Sequence, residues 1–135
     1  MKLTAKEVKD MIEKGTKLPD NLTVEGDLYL NNTPIEYLPN NLVVGGSLDL
    51  SHTPIKSLPN NLTVGGGLDL AYTQIKYLPD NMVVNGFLNL ESTPIKSLPN
   101  NLVVRGNLFL KDTQIGMIPA DSIVTGYIDI RKTRI

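Results

Sequence analysis

Asp49 and Asp69 occupy equivalent positions in successive repeats of this chain. On a parallel sheet such positions are stacked about 4.8 Å apart. Paired carboxylates are the equipment of a glycosidase, or of a seat for a cation or a basic partner group. A hydrolase needs one of the two desolvated, so that its pKa rises, and it needs a closed pocket. An exposed pair offers neither, and two solvated, screened charges are the simpler reading. His52 is the sole histidine, which removes His-dependent triads and multi-histidine metal sites. Its place in a turn after a strand reads as plain surface. Cysteine is absent, and with it disulfides, thiolate metal sites and cysteine nucleophiles. Lys56, Lys76 and Lys96 form a periodic column that could contact nucleic acid or another anionic surface. Flank lysines that keep a repeat protein soluble explain them more simply. The expectation is a protein that is not an enzyme, with no catalytic residue, metal site or cofactor.

Bulk composition narrows the partners. The chain has 135 residues, enough for one domain, and is 41% hydrophobic. Its 13 Lys plus Arg against 14 Asp plus Glu give a formal charge of −1. A sequence-independent nucleic-acid binder needs a basic excess, and an acidic DNA mimic needs a strong negative one. Neither is present, so no nucleic-acid partner is expected. The first ten residues, Met1 to Asp10, are charged throughout and lack an apolar signal core. No stretch approaches the roughly 18 apolar residues of a membrane span. These features predict a soluble, cytoplasmic protein without a membrane partner.

The elements that position these side chains follow from internal repetition. Leu18-Pro19, Leu38-Pro39, Leu58-Pro59, Leu78-Pro79, Leu98-Pro99 and Ile118-Pro119 recur every 20 residues. Gly26, Gly46, Gly66, Gly86, Gly106 and Gly126 keep that period, as do Thr33, Thr53, Thr73, Thr93, Thr113 and Thr133. Leu68-x-Leu70 alternates as a half-buried strand does. Twenty residues are too few for a helical crossover, which with its strands takes roughly 30. The strands must therefore stack in parallel, one per coil, with Leu62-x-Val64 offering a second short strand on the return. The glycines fit a corner that needs positive φ or close backbone approach. The prolines start the return, where no ladder N–H is required. The threonines face inward, satisfying turn backbone groups and stacking into a hydrogen-bonded ladder. About six apolar positions per coil fill a core that only stacked neighbours can close.

The pattern Leu-x-Leu-x-x-Thr-x-Ile-x-x-Leu-Pro resembles a leucine-rich repeat with Thr in the Asn column. Its 20-residue length is similar to the short bacterial class found in secreted effectors of the YopM and IpaH type. The fuller phrase Leu-Thr-Val-Gly-Gly-x-Leu-Asp-Leu-x-x-Thr-x-Ile also resembles repeats of bacterial and phage proteins. The resemblance covers residues 18–135 and implies a curved solenoid that binds through its concave sheet. It carries over no catalytic domain. The Thr column and the missing second Leu-Pro depart from the effector pattern and leave a right-handed parallel β-helix as the alternative. The expected fold is a mainly β repeat solenoid. Residues 1–17 form an N-terminal capping helix and residues 18–135 form six coils, within one domain.

Both ends carry signals. Thr4-x-x-Glu7 is a capping box, Leu3 and Val8 suit a hydrophobic staple, and Gly15 is a natural stop. Val8, Met11 and Ile12 give this helix an apolar face to cover the first coil. At the other end Ile128, Ile130 and Ile135 would leave an apolar edge with unpaired strand groups, blunted by Lys111, Arg131, Lys132 and Arg134. That edge suggests burial in a homodimer or against a partner.

With the paired leucines inward, their neighbours face out. The central outward column is Tyr29, Asp49, Asp69, Asn89, Phe109 and Asp129. The preceding column contains Phe87 and Tyr127, and the following one Glu91, Lys111 and Arg131. Structural columns repeat, whereas these vary from coil to coil. Clustered exposed aromatics are typical interface anchors, although they could merely pack on one another across strands. The expected function is a protein-interaction module whose partner-binding face comprises Tyr29, Asp49, Asp69, Phe87, Asn89, Phe109 and Tyr127. The resemblance implies an inhibitor- or effector-like protein of a bacterium or phage. Self-assembly through the C-terminal edge is the alternative. An ice- or carbohydrate-binding solenoid ranks below both, because in each coil one threonine alternates with isoleucine rather than forming an exposed Thr-x-Thr pair.

Overall fold

Thr4 opens the only helix of the computed structural model, which describes residues 1–135. Its hydroxyl accepts from the Glu7 N–H at 3.1 Å while the Glu7 carboxylate accepts from the Thr4 N–H at 3.0 Å, completing the capping box. The helix, α1 (Ala5–Glu13), buries Val8 completely and packs Met11 and Ile12 against the same core. Gly15 ends it with φ 71°. The Gly15 N–H donates to the Ile12 carbonyl and the Thr16 N–H to that of Met11, the paired bonds of a Schellman stop. Ahead of the helix, β1 (Lys2–Leu3) pairs with the first rear strand. Two residues carry no period, so this strand has no signature in the sequence.

Each coil contributes two strands. The rear strands are β2 (Thr23–Val24), β4 (Val43–Val44), β6 (Thr63–Val64), β8 (Val83–Val84), β10 (Val103–Val104) and β12 (Ile123–Val124). The front strands are β3 (Leu28–Tyr29), β5 (Leu48–Asp49), β7 (Leu68–Asp69), β9 (Leu88–Asn89), β11 (Leu108–Phe109) and β13 (Ile128–Asp129). The front strands form one parallel sheet in coil order, with a register offset of one repeat: Leu28 opposite Leu48, Leu48 opposite Leu68, and so to Ile128. The protein is thus a parallel-strand β-solenoid with one short N-terminal helix. A single cluster of 30 buried residues runs through it from Val8 to Ile115. Each central coil feeds it from the predicted positions; coil two gives Leu38, Leu42, Val44, Leu48, Leu50 and Ile55.

The threonine column is inward but does not form a ladder between coils. Each hydroxyl donates within its own coil, to the carbonyl three residues earlier, from Thr33 to Leu30 through Thr133 to Ile130, at 2.6 to 2.8 Å. The residue just before each threonine (Asn32, His52, Tyr72, Ser92, Asp112, Lys132) has φ between 55° and 60°. That left-handed step curls the chain so that the hydroxyl returns beneath the leucine carbonyl.

Positive φ is also not the reason for most of the glycines. Gly26 has φ 77°, but the other five of its column do not share it. A left-handed backbone is found instead at a different corner, the one before each rear strand, at Asn21, Asn41, Asn61, Asn81 and Asn101, with φ 56° to 65°. Asparagine tolerates that region better than other side chains. What the glycine column supplies is proximity. A Cβ on Gly106 would stand 2.8 Å from the Gly86 carbonyl carbon and 2.9 Å from the Phe87 nitrogen.

The rear sheet, unlike the front, is interrupted. It consists of β1-β2-β4-β6 and, separately, β8-β10-β12. Elsewhere the rear N–H of one coil donates to the coil before it: Val43 to Leu22, Thr63 to Leu42, Val103 to Met82. The Val83 N–H has no such bond to Leu62. The Val64 carbonyl, which by the same pattern would take the Asn85 N–H, is reached at 3.2 Å by the Asn85 side-chain amide. Two sequence differences fall at this junction: methionine at 82, where Leu22, Leu42, Leu62 and Leu102 hold the equivalent position, and asparagine at 85, where the two preceding coils have Gly45 and Gly65. On the front, Leu68 and Leu70 still donate across the same junction to Phe87 and Asn89 at 2.8 Å. The Val83 and Asn85 amides should therefore exchange with solvent about tenfold or more faster than those of Val103 and Arg105. Residue-resolved hydrogen exchange checks this, and equal protection at both pairs would contradict the loss of these two ladder bonds.

The last coil is the least covered. Leu108, Leu110 and Ile115 are fully buried, whereas Ile128 is half-buried, Ile130 is 43% exposed and Ile135 is 51% exposed. Leu108 and Leu110 donate to the Tyr127 and Asp129 carbonyls. By the same pattern the N–H groups of Ile128 and Ile130 point out of the sheet edge. Ser122, standing where coils one and two have Leu22 and Leu42, has a buried hydroxyl oxygen without a partner.

Candidate binding surface

The front sheet presents the columns expected from Leu-x-Leu, because both leucines of each strand face the core. Tyr29 is exposed, while Asp49, Asp69, Asn89, Phe109 and Asp129 are half-buried. Asp49 and Asp69 are direct partners in the β5–β7 register. The acidic column has a structural duty that the spacing did not reveal. Asp49, Asp69, Asn89 and Asp129 each accept, through Oδ1, the N–H two residues ahead: Ser51, Ala71, Glu91 and Arg131, at 2.9 to 3.1 Å. These side chains close the turn that leaves each strand.

The expectation of a fully solvated pair needs correction. Partial burial pushes the Asp69 carboxyl up from its ordinary value; the Ala71 N–H opposes the shift and the Asp49 charge adds to it. A residue set between neighbouring strands on a sheet face loses water on both flanks, which an alternating sequence does not show. Asp129 differs: the Arg131 guanidinium, bonded to both its oxygens, holds it down at about 2. Asp27 is also lowered, first by the Ser47 N–H and then by the Tyr29 hydroxyl, which donates to it at 2.9 Å. That bond raises the Tyr29 phenol in return.

The aromatic residues do come together. Phe87 and Phe109 meet edge-on with centroids 6.4 Å apart, and Phe109 meets Tyr127 edge-on at 5.8 Å. They pack on one another and still face solvent, Phe87 by 37% and Tyr127 by 60%. Gly67 makes room for the arrangement, since a Cβ there would collide with the Phe87 ring. The flanking charges are internally matched: Lys111 approaches Glu91 at 3.9 Å and Arg131 pairs with Asp129 at 2.6 Å.

No protein-family model, curated protein or solved structure matches the chain.

Three further features escaped the sequence reading. His52 is exposed, but it stacks on Tyr72 of the next coil with centroids 4.6 Å apart and planes 10° from parallel. The shared turn position of the two residues was the available signal. An open cleft of about 770 Å³ follows the interrupted rear sheet, lined by residues that include Asn61, Leu62, Met82 and Asn85. A second, of about 620 Å³, lies between the capping helix and the first two coils, with Ile12, Lys17, Glu36 and Tyr37 on its walls. Neither cleft gathers a nucleophile with a base. No group of three or more His, Asp or Glu side chains lies close enough to hold a metal ion. No helix is long and apolar enough to cross a membrane.

Proposed function

We propose that this chain is a non-enzymatic binding module that holds a partner protein on the front sheet. One observation carries the reading: Phe87, Phe109 and Tyr127 form a contiguous aromatic patch that remains open to solvent. Aromatic anchors of this kind dominate binding energy at protein interfaces, and contiguous exposed apolar surface is kept where something covers it. The surrounding positions vary between coils that are otherwise nearly identical, as a surface carrying specificity must. The leucine-rich-repeat resemblance supports the same face, and an inhibitor- or effector-like role in a bacterial or phage-infected cytoplasm is the extension it favours. The near-neutral charge argues against nucleic acid as the partner.

The test is affinity capture from the native host with the wild-type chain and with a Phe87→Ala/Phe109→Ala variant. Capture by the wild type should fall by about tenfold or more in the variant, the scale of two lost anchors. Both side chains are partly solvated, so the variant should remain folded by circular dichroism. Equal recovery of the same partner on both baits would remove the assignment of this face.

A further inference from the structure

Three surfaces compete for a more specific role: the rear cleft, the groove beside the helix, and the front sheet. The front sheet is the most specific of the three, because its chemistry is divided along the solenoid axis. In coils one to three the outward columns read Asp27, Tyr29, Asn31, then Ser47, Asp49, Ser51, then Gly67, Asp69, Ala71, without a cation among them. In coils four to six they hold the aromatic patch, and there both cations are matched by the face's own acids, Lys111 with Glu91 and Arg131 with Asp129.

We propose that the front sheet takes an extended segment of a partner protein, with arginine or lysine over Asp49 and Asp69 and an apolar side chain against Phe87 and Phe109. This rests on the binding reading above and names the chemistry of the partner. The aromatic patch is the anchor; charge complementarity selects the occupant. Asp49 and Asp69 use one oxygen each to close a turn, and Asn89 closes the same turn in the next coil without a charge. The structural duty therefore does not require carboxylates. Asp69 nonetheless keeps a half-buried one beside another, where burial and repulsion both disfavour its ionised form. His52 acts on Asp69 in the opposite sense but ranks below the Asp49 charge, so a cationic group laid across the pair supplies a fuller counter-charge. The dimensions fit. The centre of the acidic pair lies two coils from that of the phenylalanine pair, about 9.6 Å, and an extended chain covers this in roughly three residues. A second copy of this chain is the poorer occupant, since the cations of its front face are already engaged.

The test is selection of a random displayed peptide library on the immobilised full chain, followed by anisotropy titration of the winning peptides as synthetic probes. Enriched sequences should place arginine or lysine two to four residues from an aromatic or aliphatic residue. Asp49→Asn/Asp69→Asn should weaken them by about tenfold or more. Its melting temperature should not fall, because asparagine keeps the turn. Absence of enrichment, enrichment without basic residues, or unchanged affinity in the double-asparagine variant would overturn the proposal. The Phe87→Ala/Phe109→Ala variant separates this failure from that of the binding reading. Peptides without basic residues that still lose affinity there leave the face standing and remove its charge preference. Peptides indifferent to both variants remove the face as well. A dimer by sedimentation that dissociates in the phenylalanine variant would put a second copy on the sheet, against the proposal.

Discussion

Gly106→Ala should destabilise the protein by roughly 1–3 kcal/mol, although the usual rule for such a change has the opposite sign. Gly106 lacks a positive φ. Replacing such a glycine by alanine ordinarily stabilises by about 0.4–1 kcal/mol, because the unfolded chain loses freedom. Here the added methyl would sit 2.8 Å from the Gly86 carbonyl carbon, 2.9 Å from the Phe87 nitrogen and 3.0 Å from the Gly86 carbonyl oxygen. All three atoms are backbone, so no rotamer change makes room. Coil five would have to stand away from coil four, lengthening the ladder bonds that join them. Gly116 is the control. It also lacks a positive φ, and a Cβ there would meet nothing within 4 Å. Gly116→Ala should therefore show the ordinary modest gain. Urea unfolding of the two variants checks the pair, and shifts of the same sign would contradict the role of stacking distance.

The second large effect is expected at Leu70→Ala, a loss of about 2–5 kcal/mol. Leu70 is fully buried in the third coil, with Leu50 and Leu90 stacked on either side in the core. Its carbonyl also accepts the Thr73 hydroxyl at 2.7 Å, so a collapse of the site disturbs the turn as well. In a solenoid each coil is held mainly by its neighbours, so a weak central coil uncouples the two ends. That weakness would lie next to the junction where the rear sheet is already interrupted. Denaturation should accordingly broaden, with a smaller urea dependence than that of the wild type, as the two halves begin to unfold separately. Ile118→Ala, at a half-buried position near the end, should cost less and keep a single sharp transition. A sharp, unshifted transition for Leu70→Ala would contradict the central position of this coil in the core.

Much of the architecture was legible because it is written several times over. Leu-x-Leu at a fixed period specifies stacked parallel strands, and Thr4 with Glu7 specifies a helix start. Both are local patterns tied to one geometry. The Thr column was placed correctly on the inside, but its bonding was not. Whether a hydroxyl reaches along the stack or back into its own turn depends on the left-handed residue before it, and His52 and Tyr72 do not advertise that conformation. The glycine column was similarly ambiguous between φ and proximity, and only the spacing between coils decides. The interrupted rear sheet was invisible, since methionine for leucine at 82 looks conservative and Asn85 lies in a variable column. On the front sheet, alternation put the central column outside the core, with Tyr29 exposed and Asp49, Asp69, Asn89, Phe109 and Asp129 half-buried. The turn-closing bonds of Asp49 and Asp69 were missed, because alternation reports which way a side chain faces and not what it accepts.

The contrast between a complete front ladder and a rear ladder that lacks two backbone bonds at one junction has a mechanical consequence. A stack bonded more fully along one margin than along the other should yield to fanning before it yields to sliding, as a book does about its spine. Fanning between the third and fourth coils tilts the aspartate-bearing half of the front surface against the aromatic half. A ligand confined to either half leaves that angle free, whereas one that spans both must freeze it, at an entropic cost met by its own contacts. Shortness in a ligand is then a disadvantage beyond the contacts it forgoes, and tight binding falls to chains long enough to bridge the fold line.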